Sequence, residues 1–146
     1  MNTEVRTILE EKGHETFSVK PGEHVLSAVR AMCERRVGAI LVCENDEVIG
    51  ILSERDVMTR VILEGRAPDQ TLVRDVMTRD VVAIDPKTST MEAMAIMTKR
   101  RCRHLPVMDG GKVVGVLSIG DLVRHVSAAQ EYEIRMLTDY VSGAVR

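Results

Sequence analysis

The sequence lacks an excess of charge of either sign and any apolar run long enough for a membrane span. Its 20 basic and 22 acidic residues give a net charge of −2, which creates no basic field for nucleic acid or an anionic membrane. No apolar run approaches the roughly 18 residues that a bilayer requires. We therefore expect neither partner, and we expect a globular core, because 146 residues suffice to bury most of the unfolded surface.

Paired cysteines and catalytic signatures are missing as well. Cys33, Cys43 and Cys102 form no CxxC pair and no secretory signal opens the chain, so we expect reduced thiols in a cytoplasmic protein. No histidine or cysteine stands at a recognised metal-ligand spacing, and no metal site is predicted. The sequence also has no nucleophile elbow and no Walker-type phosphate loop. It predicts a binding protein without catalytic residues and not an enzyme.

An internal repeat is the main positive feature. Residues 17–62 align with residues 82–127 without a gap, and the segments GILSERD and GVLSIGD keep glycine, serine and aspartate at the same spacing. Such self-similarity should be recognised before a fold is assigned. The identical pairs include Pro21 and Pro86, Ala28 and Ala93, Met32 and Met97, Arg35 and Arg100, Gly50 and Gly115, Leu52 and Leu117, Ser53 and Ser118, and Asp56 and Asp121.

Each repeat predicts a strand, a helix, two strands and a second helix. TFSV or VVAI is β-prone and ends at a proline, and a helical stripe of apolar residues follows. AILVC and HLPVM then pair through the turns ENDE and DGGK with VIGILS and VVGVLS, and a second helix begins after Ser53 or Ser118. The fold class is therefore α+β, with two β-α-β-β-α motifs that form a pseudo-symmetric pair.

The segments outside the repeats complete the predicted organisation. VRTIL near the start echoes VRDVM at 73–77, so each half has a short lead-in, and the apolar residues of the tail lie on one helical face that must bury against the domain or another subunit. The predicted divisions are a lead-in at 1–13, motif 1 at 14–63, a linker and lead-in at 64–78, motif 2 at 79–128 and a C-terminal amphipathic helix at 129–146. The tail stripe comprises Ile134, Leu137, Tyr140, Val141 and Ala144.

The repeated serine and aspartate allow two interpretations. Serine followed three residues later by an acid is typical of a capping box, in which both side chains satisfy amides at a helix start. The same carboxylate could instead accept hydrogen bonds from the two hydroxyls of a ribose, with the helix amides facing a phosphate and the glycine leaving room for the ligand. The pair Arg103 and His104, at the start of a strand of the second repeat, adds cationic groups that favour the second interpretation.

The repeated motifs, with the entries SVKP and AIDP and the segment RCRHLPVMDGGKVVGVLSIGD, resemble a pair of cystathionine-β-synthase (CBS) domains, known as a Bateman module. The resemblance covers nearly the whole chain and is greatest to stand-alone CBS-pair proteins. It implies that the two motifs are related by pseudo-twofold symmetry, with small mixed sheets flanked by helices. It also implies a cleft at the interface of the two motifs that binds an adenosine-containing ligand. It also implies a homodimer formed through paired helices.

The resemblance assigns the site residue by residue. Asp56 and Asp121 are implied ribose ligands, and Ser53 and Ser118 are hydroxyl donors beside them. Phosphate contacts are implied for Arg103 and His104, which Gly38 and Ala39 replace in the first repeat, so we expect the second repeat to hold the better phosphate site. Arg55, which stands where the second repeat has Gly120, is expected to assist it. The adenine pocket is implied to be lined by Val19, Lys20, Ile84 and Asp85.

The implied function is regulatory. No cofactor is obligatory, and the expected ligand is AMP, ADP or ATP first and NAD or S-adenosylmethionine next. Because the chain holds one phenylalanine, two tyrosines and no tryptophan, the base must be held without extensive aromatic stacking. We expect a sensor of energy or redox state that controls a separate protein. The alternatives are a constitutive dimerisation scaffold with vestigial sites and a thiol-responsive module in which Arg101 and Arg103 lower the pKa of Cys102.

Overall fold

A computed structural model of the chain describes residues 3–142. In chain order the elements are α1 (Val5–Lys12), β1 (Ser18–Val19), α2 (Val25–Arg35), β2 (Ala39–Glu44), β3 (Glu47–Ser53), α3 (Glu54–Asp56), a π-helix (Val57–Ile62), α4 (Val73–Val76), α5 (Thr90–Arg100), β4 (His104–Asp109), β5 (Lys112–Ser118) and α6 (Ile119–Ser142). Helices and small sheets alternate, which confirms the α+β class.

The chain divides into two compact units. Glu15–Val82 form one unit, called here the first unit. The described residues up to His14 join those from Ala83 onward to form the second unit. Each unit therefore contains one sequence repeat together with one lead-in helix.

The first unit is built on a three-stranded sheet in the order β1, β2, β3. β1 runs parallel to β2, and β2 pairs with β3 in an antiparallel hairpin. Asn45 and Asp46 both have positive φ angles, of 52° and 64°, at the hairpin turn, as the tight turns that match strand twist require. The buried cluster of this unit draws on every element except α3: Val19, Val25, Ala28, Met32, Ile40, Val42, Leu52, Val61, Val73, Val76 and Met77.

The second unit repeats the hairpin but reduces the first strand. β4 and β5 pair antiparallel, and Gly110 and Gly111 take positive φ angles at their turn. The predicted strand at 81–84 is present only as a parallel bridge between Ile84 and Val107. The sequence VVAI is β-prone, but it forms less of a ladder here than its counterpart at Ser18–Val19 does in the first unit.

The lead-in helices are exchanged with respect to the sequence order. The amide of Val73 at the start of α4 donates to the Glu23 carbonyl at 2.9 Å, within the first unit. The amide of Val5 at the start of α1 donates to the Thr88 carbonyl at 2.8 Å, within the second unit. Each lead-in helix therefore completes the core of the repeat that it does not directly precede.

α6 is one continuous helix of 24 residues. The sequence analysis divided this segment at residue 129, whereas the structure continues the second helix of the repeat into the tail without a break. Within this chain the tail stripe is exposed at Ile134, Leu137, Tyr140 and Val141. Ala144 lies outside the described residues. Of the two proposed ways to bury the stripe, packing against its own domain does not occur.

Candidate functional site

The candidate site is the junction at which the last strand of each repeat enters a helix. In the first unit the Ser53 amide donates to Asp56 Oδ2 at 3.0 Å, and the Asp56 amide donates to Ser53 Oγ at 3.2 Å. The Asp56 side chain is almost fully enclosed, with 7% of the residue exposed. The reciprocal pair is a capping box, as the first interpretation of the motif predicted.

The second unit reproduces this geometry. The Ser118 amide donates to Asp121 Oδ2 at 2.9 Å, and the Asp121 amide donates to Ser118 Oγ at 3.1 Å. Asp121 is 6% exposed. Both repeated aspartates therefore have a structural role at a helix start, whatever further role they carry.

Each aspartate also accepts a hydrogen bond from a residue at or just after the end of the exchanged lead-in helix. Thr78, which follows α4, donates its hydroxyl to Asp56 at 3.1 and 3.2 Å. Lys12, the last residue of α1, donates from Nζ to Asp121 Oδ2 and to the Val116 carbonyl, both at 2.7 Å. In each unit, the aspartate carboxylate thus forms hydrogen bonds both to the serine at the end of the hairpin and to a side chain at or just after the end of the lead-in helix.

An arginine follows each aspartate by three or four residues as well. Arg124 Nη2 donates to Asp121 Oδ1 at 2.6 Å. Arg60 Nε lies 3.9 Å from Asp56 Oδ1, while its Nη1 donates to the carbonyls of Val76 and Met77 at the end of α4. Asp121 therefore pairs closely with two cations, and Asp56 has one cation that is engaged elsewhere.

The pKa of Asp121 lies below its ordinary value. Burial of the carboxylate acts to raise the pKa, but the hydrogen bond and charge of Lys12, together with hydrogen bonds to Ser118, lower it by more. Asp121 is consequently an ionised carboxylate at neutral pH, although it is nine-tenths enclosed.

The repeated glycines serve the lead-ins, and the expectation that they make room for a ligand is wrong. A Cβ atom at Gly50 would lie 2.6 Å from Met77 Sδ and 2.9 Å from the Thr78 carbonyl oxygen. At Gly115 it would lie 2.6 Å from Leu9 Cδ2. At Gly50 the lead-in backbone packs directly on the strand, so glycine is required there, whereas at Gly115 the contact is with the end of the Leu9 side chain.

The second unit brings several predicted site residues together. His104 pairs with Ser118 across the β4–β5 ladder, so these two residues share a face at the end that carries Asp121. Arg103 precedes His104, is exposed, and accepts the Ile119 amide at its carbonyl. Ile84 is buried and hydrogen-bonds the middle of β4, and exposed Asp85 follows it.

The predicted residues of the first unit lie at the end of β1 or at the junction of β3 and α3. Val19 is buried on β1, and Lys20 after it is exposed with its amide bonded to Glu23 Oε2. Arg55 is exposed on α3 beside the Ser53 and Asp56 capping box. A surface cavity of about 480 Å³ in this unit contains none of the predicted residues; it is lined by His24, Leu26, Ser27, Arg30, Ala31, Glu34 and Asp69.

The predicted activation of Cys102 is wrong. Burial raises the pKa of its thiol, and its own backbone hydrogen bond and the charge of Arg100 offset only part of this rise. Because the thiolate is the reactive form, a raised pKa makes Cys102 less reactive than an ordinary cysteine at neutral pH. The thiol-responsive alternative loses the physical reason for which it was proposed.

Two further classes of feature are absent from residues 3–142. No three histidine, cysteine, aspartate or glutamate side chains in this range are grouped so that they could hold a metal ion. No helix among the same residues combines the length and the apolar character that crossing a membrane requires.

Comparison with known proteins agrees with the repeated architecture. The CBS domain matches twice, at residues 1–63 and 73–128. The chain belongs to the CBS domain family. It is a CBS pair, and such pairs are regulatory modules.

Individual relatives support this assignment. The mitochondrial CBS domain-containing protein CBSX3 of Arabidopsis thaliana is 36% identical over 124 residues, which cover 82% of this chain and 60% of that protein. A solved structure from Burkholderia ambifaria MC40-6, named as a candidate signal-transduction protein with CBS domains, is 43% identical with a TM-score of 0.85 and covers 88% of this chain and 96% of its own. The CBS pair spans only 21% and 22% of two further Arabidopsis relatives.

Sequence reasoning missed Lys12, Thr78 and Arg124 at the site. Lys12 and Thr78 are distant in sequence from the aspartates that they contact, and only the exchange of lead-ins brings them close. Arg124 had a local signal, because residues three apart on a helix share a face. A basic residue three positions after the capping aspartate could therefore have been included.

Proposed function

We propose that this CBS pair binds an adenine nucleotide at the junction formed by His104, Ser118 and Asp121, and that binding regulates a separate protein. AMP, ADP and ATP are the first candidates, and NAD and S-adenosylmethionine follow. Membership of a family of regulatory modules supports a signalling role without catalysis. The ligand and the role of each residue are our proposal.

The observation that carries the proposal is the enclosed, ionised carboxylate of Asp121. A charged aspartate is rarely buried unless its environment compensates it, and here the compensation includes two cations within 2.7 Å. Oδ1 accepts one hydrogen bond, from Arg124, and Oδ2 accepts two, from Lys12 and the Ser118 amide, so the carboxylate retains acceptor capacity. One hydroxyl of a ribose supplies a suitable donor for that capacity.

We further propose self-association through α6. Ile134, Leu137, Tyr140 and Val141 are exposed on this helix, and clustered exposed apolar residues mark interaction surfaces. A homodimer would cover part of this stripe and leave other surfaces for the regulated protein. The cytoplasm is the proposed location, although the related Arabidopsis protein is mitochondrial.

Calorimetric titration of the ligand-stripped protein with AMP, ADP, ATP, NAD and S-adenosylmethionine tests the nucleotide function. Asp121→Ala should lose binding of whichever compound the wild type binds. Because Asp121 also stabilises the fold, the matched control is Ser89→Ala, which removes the side-chain cap that accepts the Glu92 amide at the start of α5. That control should bind like the wild type.

The result has two outcomes that would reject the proposal. One is the absence of heat with all five compounds at millimolar concentration. The other is wild-type affinity in Asp121→Ala, which would leave this carboxylate with its capping role alone. Circular dichroism of both variants ensures that binding is compared between folded proteins.

A further inference from the structure

The Asp121 carboxylate is short of hydrogen-bond acceptors for a ribose. A carboxylate offers about four acceptor positions. Oδ2 already accepts from the Ser118 amide and from Lys12 Nζ, and Oδ1 accepts from Arg124 Nη2. One position is left, whereas two vicinal hydroxyls need two. A ribose that donates both hydroxyls to this carboxylate must therefore displace one of the three donors.

The three donors differ in how firmly they are held. The Ser118 amide belongs to the capping box and cannot leave without disrupting the start of α6. Lys12 Nζ has a second anchor at the Val116 carbonyl, and 38% of the Lys12 side chain is exposed. The Arg124 side chain is 73% exposed. Because exposed ion pairs contribute little free energy, Arg124 is the donor that a ligand displaces most readily.

The displaced guanidinium would carry an uncompensated charge beside the ligand. If Lys12 stays, it still balances the charge of Asp121, and Arg124 becomes available to an anion. A guanidinium presents a planar pair of donors that fits phosphate oxygens.

The first unit lacks this arrangement. Thr59 occupies the repeat position equivalent to Arg124, and its hydroxyl donates to the Arg55 carbonyl at 2.8 Å. Asp56 meets the Thr78 hydroxyl instead of a lysine. Arg60, the cation near Asp56, is engaged with the carbonyls of Val76 and Met77, so selection by a displaced arginine is specific to the second repeat.

We propose that Arg124 selects phosphorylated ligands at Asp121: the ribose replaces the guanidinium on Oδ1, and the guanidinium then pairs with the phosphate of the ligand. This inference rests on the proposed nucleotide function and adds a residue-specific reason for a nucleotide over a nucleoside. Arg124 is at once a competitor of the ribose and a partner of the phosphate, so its removal has opposite effects on the two parts of the ligand.

Calorimetric titration with AMP and with adenosine tests the proposal in the wild type, in Arg124→Gln and in Arg124→Lys. Arg124→Gln should weaken AMP binding about tenfold or more, because a hydrogen bond to a charged group is lost, while adenosine binding stays equal or tightens. Arg124→Lys should give an intermediate AMP affinity. Arg135→Gln on the same helix is the control for net charge, and it should retain the wild-type ratio of the two affinities.

The outcomes separate this inference from the proposed function. An unchanged ratio of AMP to adenosine affinity in Arg124→Gln, with AMP binding intact in the wild type, overturns the role of Arg124 alone. Equal weakening of both ligands also overturns it, since Arg124 would then act on the ribose end of the site. Failure of the wild type to bind any of the five compounds overturns both the inference and the nucleotide function. Arg124 is exposed, so these variants are expected to fold.

Discussion

Substitution of Asp121 by alanine should destabilise the protein even when no ligand is present. The change leaves the Ser118 amide without its acceptor at a partly buried position, which costs about 1–3 kcal/mol. It also removes the ion pair with Lys12, which contributes about 1 kcal/mol when discounted for the exposure of that lysine. The exposed contact with Arg124 adds little, so the expected loss is about 2–4 kcal/mol, or about 5–15 °C in melting temperature for a protein of this size.

The assay is urea denaturation of the wild type and of Asp121→Ala at pH 7, followed by circular dichroism. Ser118→Ala is the reference, because loss of a capping hydroxyl alone should cost about 1 kcal/mol. If Asp121→Ala unfolds with no greater loss than Ser118→Ala, the link between this carboxylate and α1 contributes nothing, and the reasoning is refuted.

The loss of stability caused by Asp121→Ala should depend on pH. The pKa of Asp121 is lower in the folded protein than in the unfolded chain, where it is about 3.9. On acidification, the Asp121 carboxylate is therefore protonated in the unfolded state before it is protonated in the folded state. The stabilisation by this carboxylate is present above its unfolded pKa and is lost as the pH falls through its folded pKa. The gap in stability between wild type and Asp121→Ala should narrow below about pH 4. A gap that stays constant from pH 7 to pH 3 would contradict this assignment.

Two further predictions concern the glycines and a cysteine. Gly50→Ala should destabilise more than Gly115→Ala in urea denaturation, because its new methyl group meets the backbone oxygen of Thr78, whereas the methyl group at 115 meets only the end of the Leu9 side chain. Equal losses of stability in the two variants would contradict the claim that the backbone of Thr78 limits the space at Gly50. Cys102 should react with a disulfide reagent at pH 7 more slowly than free cysteine does, and a faster reaction would contradict the raised pKa of its thiol.

The repeat made most of the fold predictable. Alternation and turn residues located both hairpins, and the apolar stripes located α2 and α5. Local patterns specify such elements because each depends on a few neighbouring residues. Both helices end at a pair of arginines, where Arg36 and Arg101 adopt left-handed conformations with φ angles of 56° and 55°.

The exchange of lead-ins could not be predicted in this way. VRTIL and VRDVM each have an apolar face, but nothing local to either segment shows which repeat it will cover. For the same reason the glycines were assigned to a ligand, when their contacts come from Met77 and Leu9. The capping function of Ser53 and Ser118, by contrast, depends only on residues three apart and was correctly predicted.

At the candidate site, the sequence identified the capping residues but not the full set of their partners. Asp121 was selected for its repeated position, and its burial and contacts show why a carboxylate is needed there. Ribose binding by Asp121 and Asp56 stays a prediction. The roles assigned to Arg103, His104 and the residues of the adenine pocket also stay predictions, because they depend on a ligand.

The exchanged lead-ins affect the order in which the chain can fold during synthesis. All residues of the first unit, Glu15–Val82, emerge consecutively, so its core can form before the second repeat has been made. α1 is synthesised before the other helices of the CBS pair but must wait for β5 and α6, about a hundred residues later, to bury Leu9 and pair Lys12. Until then its apolar face is exposed on the growing chain, so the earliest helix of the pair is one of the last to reach its native contacts.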